Sequence, residues 1–85
     1  MPVVNYATIK QSTLDSLARY VEQHIPTGDF LRAVLENDLM EACGRADEEN
    51  AIALFQICAY VYNQLPASCH GSPEKVKKWL YGRKP

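Results

Sequence analysis

Punctuation constrains this chain more than any single motif. Pro26, Gly44, Pro66 and Gly82 cut it into four stretches, and within each stretch the apolar residues recur at helical rather than strand spacing. The first stretch predicts a helix opened by Ser12 or Thr13, with Asp15 near its positive end and Leu14, Leu17, Ala18, Val21 and Ile25 on one face. Pro26 ends it. Thr27, Gly28 and Asp29 offer the next start, and Phe30, Leu31, Val34, Leu35, Leu39, Ala42 and Cys43 form a broad apolar face up to a stop at Gly44. Asn37 and Asp38 interrupt that face with residues that prefer caps. The stretch therefore reads either as one continuous helix or as two short helices meeting at Asn37.

The third stretch opens on Asp47 as N-cap, with Glu48 and Glu49 in the first turn. Ala51, Leu54, Phe55, Cys58, Val61, Tyr62 and Leu65 give its main face, and Ile52, Ile57 and Tyr60 make other faces apolar as well. That composition predicts the central helix, with Phe55 as a core aromatic. Pro66 closes it, and "PASCHGS" is a connector rich in turn residues. The last helix has a clear start in Ser72 as cap, Pro73 at the first position and Glu74 in the first turn; Val76, Trp79 and Leu80 share a face before Gly82. Ahead of all four, Val3, Val4, Tyr6 and Ile9 show no period and read as an extended arm. The expected architecture is all-α: one domain over residues 1–85, a small compact bundle of four to five helices over 12–82, an extended N-terminal arm at 1–11 and a tail at 83–85.

Composition narrows function. With 85 residues, 47% of them hydrophobic, there is enough for one packed core and no room for a second domain. Nine basic against ten acidic residues leave no overall positive field to hold nucleic acid without specific contacts. Apolar runs such as "AIALFQICAYVY" fall short of the roughly 20 residues a membrane span needs, and "MPVVNYATIK" lacks a signal pattern. No membrane association and a cytoplasmic location are the expectations. Cys43, Cys58 and Cys69 are odd in number and irregular in spacing, which suits free thiols in a reducing compartment.

The candidate chemistry is sparse. Cys69 and His70 are adjacent, and Cys43, Cys58 and His24 lie elsewhere; structural zinc sites favour close pairs such as C-x2-C, and neighbours in sequence do not readily aim at one ion. Cys43 and Cys58 fit apolar helix faces. Cys69 as a nucleophile would need an oriented base, which His70 beside it is badly placed to be. Among Asp38, Glu41, Asp47, Glu48 and Glu49 no apolar pocket is evident that would tune a carboxylate. Arg32 with Glu36 and Glu41 with Arg45 have the spacing of helix-surface ion pairs. No P-loop, glycine-rich nucleotide fingerprint or zinc-finger spacing occurs. The expectation is a protein that is not an enzyme and uses no cofactor or metal.

Two binding readings remain. In the first, a protein partner contacts the polar edge carrying Arg32, Asn37, Asp38, Glu41, Arg45 and Asp47. In the second, the basic C-terminal segment binds nucleic acid, with Lys75, Lys77, Lys78, Arg83 and Lys84 on phosphates and Trp79 and Tyr81 against bases. Against the second stands a simpler use of the same residues, Trp79 anchoring the helix while the lysines keep its outer face wet. Self-association is compatible with either.

"GDFLRAVLENDLMEACGRADEEN", then "YNQLP", then "GSPEKVKKWL" together resemble a group of small helical proteins encoded by bacteriophages and prophages. The likeness spans residues 13–81 and rests on Gly28, Phe30, Leu31, Asn37, Asp38, Leu39, Arg45, Ala46, Asp47 and Asn50, with Asn63, Pro66, Gly71, Ser72 and Trp79 further on. It is a packing and capping pattern. At position 70 this chain has histidine where an aromatic is more usual. The resemblance implies a protein acting in the host cytoplasm that occupies a surface of a larger host or phage machine, inhibition of bacterial defence being one such role.

Overall fold

The structure, a computed structural model, describes residues 6–82. These residues are helical with no strand among them, in six α-helices rather than four or five. They are α1 (Gln11–Gln23), α2 (Asp29–Leu35), α3 (Leu39–Arg45), α4 (Glu48–Ile52), α5 (Leu54–Gln64) and α6 (Pro73–Tyr81), with 3-10 turns at Tyr6–Thr8 and Ala67–Cys69. The two extra helices arise because each long apolar stretch in the middle of the chain is broken.

The first break is at Asn37, which adopts a left-handed backbone (φ 62°) and so ends α2. Asp38 then starts α3 by accepting a hydrogen bond from the Glu41 amide at 3.2 Å. The two-helix alternative is the one realised, and α2 and α3 pack against each other, with Leu35 and Ala42 buried. Gly44 does not stop α3, which continues to Arg45. The chain turns instead at Ala46, whose extended backbone leads into Asp47, and the Asp47 carboxylate accepts from the Asn50 amide at 2.8 Å to open α4.

The second break, at Ala53, separates α4 from α5 and corrects the expectation of one central helix. Ala53 is buried, and Ile57 and Val61 follow it into the core at four-residue steps. Phe55 sits two residues past Ala53, about 200° around the helix, and is therefore 52% exposed rather than a core aromatic. Ile52 and Tyr62 are likewise on the outside, at 86% and 79%.

The N-terminal arm also differs from expectation. Residues 1–5, with Val3 and Val4, lie outside the described residues, as do Arg83 and Lys84 in the tail. Tyr6–Thr8 forms a 3-10 turn, Tyr6 packs edge-on against Tyr60 of α5 at 5.2 Å, and Ile9 is buried. The α1 helix begins at Gln11 with Lys10 as an uncapped start, so neither Ser12 nor Thr13 is its cap. Its far end stops before Pro26, at His24, a left-handed residue (φ 56°) whose amide bonds the Tyr20 carbonyl at 3.1 Å.

The last helix follows the sequence closely. Ser72 Oγ accepts from the Lys75 amide at 3.1 Å, Pro73 occupies the first turn, and Val76 and Leu80 are buried. Ahead of it, Gly71 has φ 118°, a conformation that side chains resist, and donates its amide to the Leu35 carbonyl at 2.7 Å. That bond ties the connector to the end of α2.

Candidate functional site

Of the six residues of the expected polar edge, Arg32, Glu41 and Arg45 share one cluster and Arg45 and Asp47 line a common cleft. Arg32, Glu41 and Arg45 stand together on α2 and α3: Arg32 Nε donates to Glu36 Oε2 at 2.9 Å, Arg45 Nε to Glu41 Oε2 at 2.6 Å, and a second Arg45 nitrogen reaches Asp29 Oδ2 at 3.3 Å. The result is a surface ladder of alternating charges whose members already have partners. Asp38 and Asp47 are caps. Asp47 also meets Lys10 Nζ at 3.3 Å, and Glu49 meets the same ammonium at 3.3 Å. The Asn50 amide and then Lys10 hold the Asp47 carboxyl below its ordinary range, and Glu49 and Asp47 raise Lys10. Asn37 faces neither group and lines a groove described below.

The basic helix presents a different picture from the one a nucleic-acid reading needs. Lys75, Lys77 and Lys78 are exposed on α6, as is Tyr81. Trp79 is held within the fold rather than extended into solvent: its Nε1 donates to the Tyr20 carbonyl at 2.9 Å, and its ring stacks on His24 with centroids 4.5 Å apart. His24 Nδ1 pairs with the Trp79 carbonyl at 2.7 Å; because a carbonyl only accepts, Nδ1 carries the proton. Tyr20 extends the knot, donating its hydroxyl to the Cys69 carbonyl at 2.7 Å. Tyr20 is fully buried, and burial raises its phenol well above the usual value. No periodicity linked residues 20, 24, 69 and 79, because the contacts join a helix end to a connector.

The cysteines divide three ways. Cys69 lies in the core, where burial pushes its thiol up to about 11. Such a thiol is protonated at neutral pH and is a packing group. Burial also raises Cys58, which is half-buried, whereas Cys43 is exposed, contrary to its place on the expected apolar face. The α2–α3 break rotates Cys43 outward while Ala42 beside it is fully buried. Among the described residues no group of three or more His, Cys, Asp or Glu side chains gathers to hold a metal ion, and no helix is long and apolar enough to cross a membrane.

Sequence reasoning missed the main concave feature. A groove of about 510 Å3 runs between the end of α2, the outer face of α5 and the connector. Val34, Cys58, Val61, Tyr62 and Ala67 make it largely apolar, and Asn37, His70, Gly71 and Lys75 supply its polar positions. Cys58 and Tyr62 are four apart on α5, and Phe55 precedes them by one and two turns on the same side. Phe55 and Tyr62 thus lie on one exposed stripe, of which Tyr62 lines the groove. His70 Nε2 is buried in this wall with no hydrogen-bond partner, a costly state for a polar atom. Burial lowers the His70 pKa below its ordinary value, with a further downward push from Lys75, while a hydrogen bond to the Leu65 backbone acts in the opposite sense. Local sequence pattern carried no signal for this site, because the groove depends on what the connector packs against.

No protein-family model, no curated protein and no solved structure matches the chain.

Proposed function

We propose that the chain is a non-catalytic binding module whose groove between α2, α5 and the connector receives a segment of a larger protein. The observation that carries this reading is the largely apolar groove itself, with exposed Tyr62 on its wall. A largely apolar groove with a few polar positions suits an amphipathic helix or extended segment that buries one or two apolar side chains and brings hydrogen-bonding groups to Asn37 and Lys75. Exposed Phe55 and Tyr62 lengthen the contact, and aromatic residues of this kind dominate binding energy at interfaces. The charged ladder of Arg32, Glu41 and Arg45 is less suited to the centre of the contact, because a partner would first have to separate pairs that satisfy one another. It suits the rim. The phage resemblance of residues 13–81 supports a host or phage protein as the partner and stoichiometric occupation as the mode of action, inhibition of a defence protein included.

The alternative is a nucleic-acid binder acting through Lys77, Lys78 and Tyr81, which α6 leaves exposed. One experiment separates the readings. Bacterial lysate is passed over immobilised wild type, Tyr62→Ser, Arg45→Gln and Lys77→Gln proteins, with nuclease treatment as a further arm. The protein-binding reading expects one stoichiometric partner that survives nuclease, is lost with Tyr62→Ser and is retained by Lys77→Gln. Capture unaffected by Tyr62→Ser rejects the groove as the contact. Capture lost with nuclease and with Lys77→Gln supports nucleic acid instead, with binding that weakens steeply as salt rises.

A further inference from the structure

A second cleft, which shares Lys75 with the groove, has a different chemistry. It measures about 430 Å3 and is lined by His24, Ser68, Lys75, Lys78, Trp79 and Gly82. Among the described residues no carboxylate lines it. The Trp79–His24 stack provides an aromatic wall, fixed by the indole bond to Tyr20 and the imidazole bond to the Trp79 carbonyl. Lys75, Lys78 and Trp79 fall on one side of α6 because they are three and four residues apart, and Gly82 continues that line past the end of the helix. Lys75 stands between the two concavities, its Nζ lying 3.4 Å from the carbonyl of Ala67 in the groove wall. His24 holds this place only by adopting a left-handed backbone, a conformation that costs free energy in any residue but glycine.

We infer that this cleft binds a small phosphate monoester carrying an aromatic ring, a ligand of the size and chemistry of a nucleoside monophosphate. A phosphate monoester has between about 1.5 and 2 negative charges near neutral pH, which matches two ammonium groups with the Ser68 hydroxyl as a third donor. A single carboxylate would leave one ammonium unmatched. The ring lies against the aromatic wall and the lysine stems, whose apolar length explains why a basic cleft is lined mainly by carbon. The volume falls in the range of small-molecule sites. This placement gives α6 a basic and aromatic role while Trp79 stays held within the fold.

Trp79 is the only tryptophan in the chain, so its fluorescence reports on the cleft directly. Purified protein is titrated with adenosine and uridine monophosphates, with the corresponding nucleosides, and with a short single-stranded oligonucleotide with and without a 5′-phosphate. The expected result is a saturable change with the monophosphates, weakened about tenfold or more by loss of the phosphate, by Lys75→Gln and by Lys78→Gln, as the loss of one charge-assisted hydrogen bond implies. Lys77→Gln, outside the cleft, leaves the affinity unchanged, and circular dichroism confirms that each variant is folded. Equal binding of the 5′-phosphorylated oligonucleotide identifies a strand end as the source of the ligand, and weaker binding identifies the free nucleotide. Absence of a saturable response, equal loss with Lys77→Gln, or oligonucleotide binding indifferent to the 5′-phosphate overturns the proposal.

Discussion

The seam between α1 and α6 and the outer face of α5 are both rich in aromatic residues, yet they use them in opposite ways. At the seam, Tyr20, His24 and Trp79 each satisfy a polar atom through a backbone carbonyl on another element, so packing and hydrogen bonding reinforce one another. On α5, Phe55 and Tyr62 face outward, and His70, which lines the same groove as Tyr62, has a buried Nε2 with no partner. Aromatic content alone therefore says little about where stability resides in a domain of this size. Satisfied polar ends mark the side that holds the fold together, and exposed aromatic faces mark the side where the proposed partner would sit.

The largest expected effect breaks the seam. Tyr20→Ala removes a fully buried ring and leaves the Cys69 carbonyl without its donor, and is expected to cost roughly 3 to 5 kcal/mol, as for other buried aromatics. Urea denaturation followed by Trp79 fluorescence measures it. A cost below that of a surface change would mean that the seam is not the anchor. Ser72→Ala tests the same side more gently. Loss of the bond to the Lys75 amide is expected to cost about 1 kcal/mol, read from the same denaturation curves.

The open side makes a prediction in pH. The folded-state pKa of His70 is depressed, mainly by burial, so the neutral ring contributes stability above the unfolded-state value of about 6.5, and that contribution is lost as pH falls through the folded value. Stability should decline on acidification from neutral pH, and His70→Phe, which places an aromatic at that position and removes the orphaned nitrogen, should flatten the decline. Denaturation midpoints of the two proteins across this window check it. An identical decline in both would remove His70 as its source.

These contrasts also show which features the sequence made legible. Asp47 and Ser72 were readable as caps because capping depends on a residue and the amide three positions later. The break at Asn37 was readable as one of two alternatives, since asparagine tolerates both a helix interior and a left-handed turn. The break at Ala53 was not, because alanine is the best helix former and its turn is imposed by packing. Missing it misplaced Phe55: on a helix apolar all round, periodicity cannot say which face turns inward. The candidate site was least legible of all. The polar edge was found residue by residue, but its grouping into ion pairs and caps, the groove at His70 and the cleft at His24 each depend on elements distant in sequence.

The smallest expected effect tests the central claim that the α5 face is uncovered within the fold. Serine is placed at both exposed aromatic positions, Phe55→Ser with Tyr62→Ser, and the unfolding free energy is compared with wild type by urea denaturation. Surface changes usually stay within about 0.5 kcal/mol each, so the double variant is predicted to remain within roughly 1 kcal/mol of the parent. A loss of several kcal/mol would show that the face is part of the core and contradict the account.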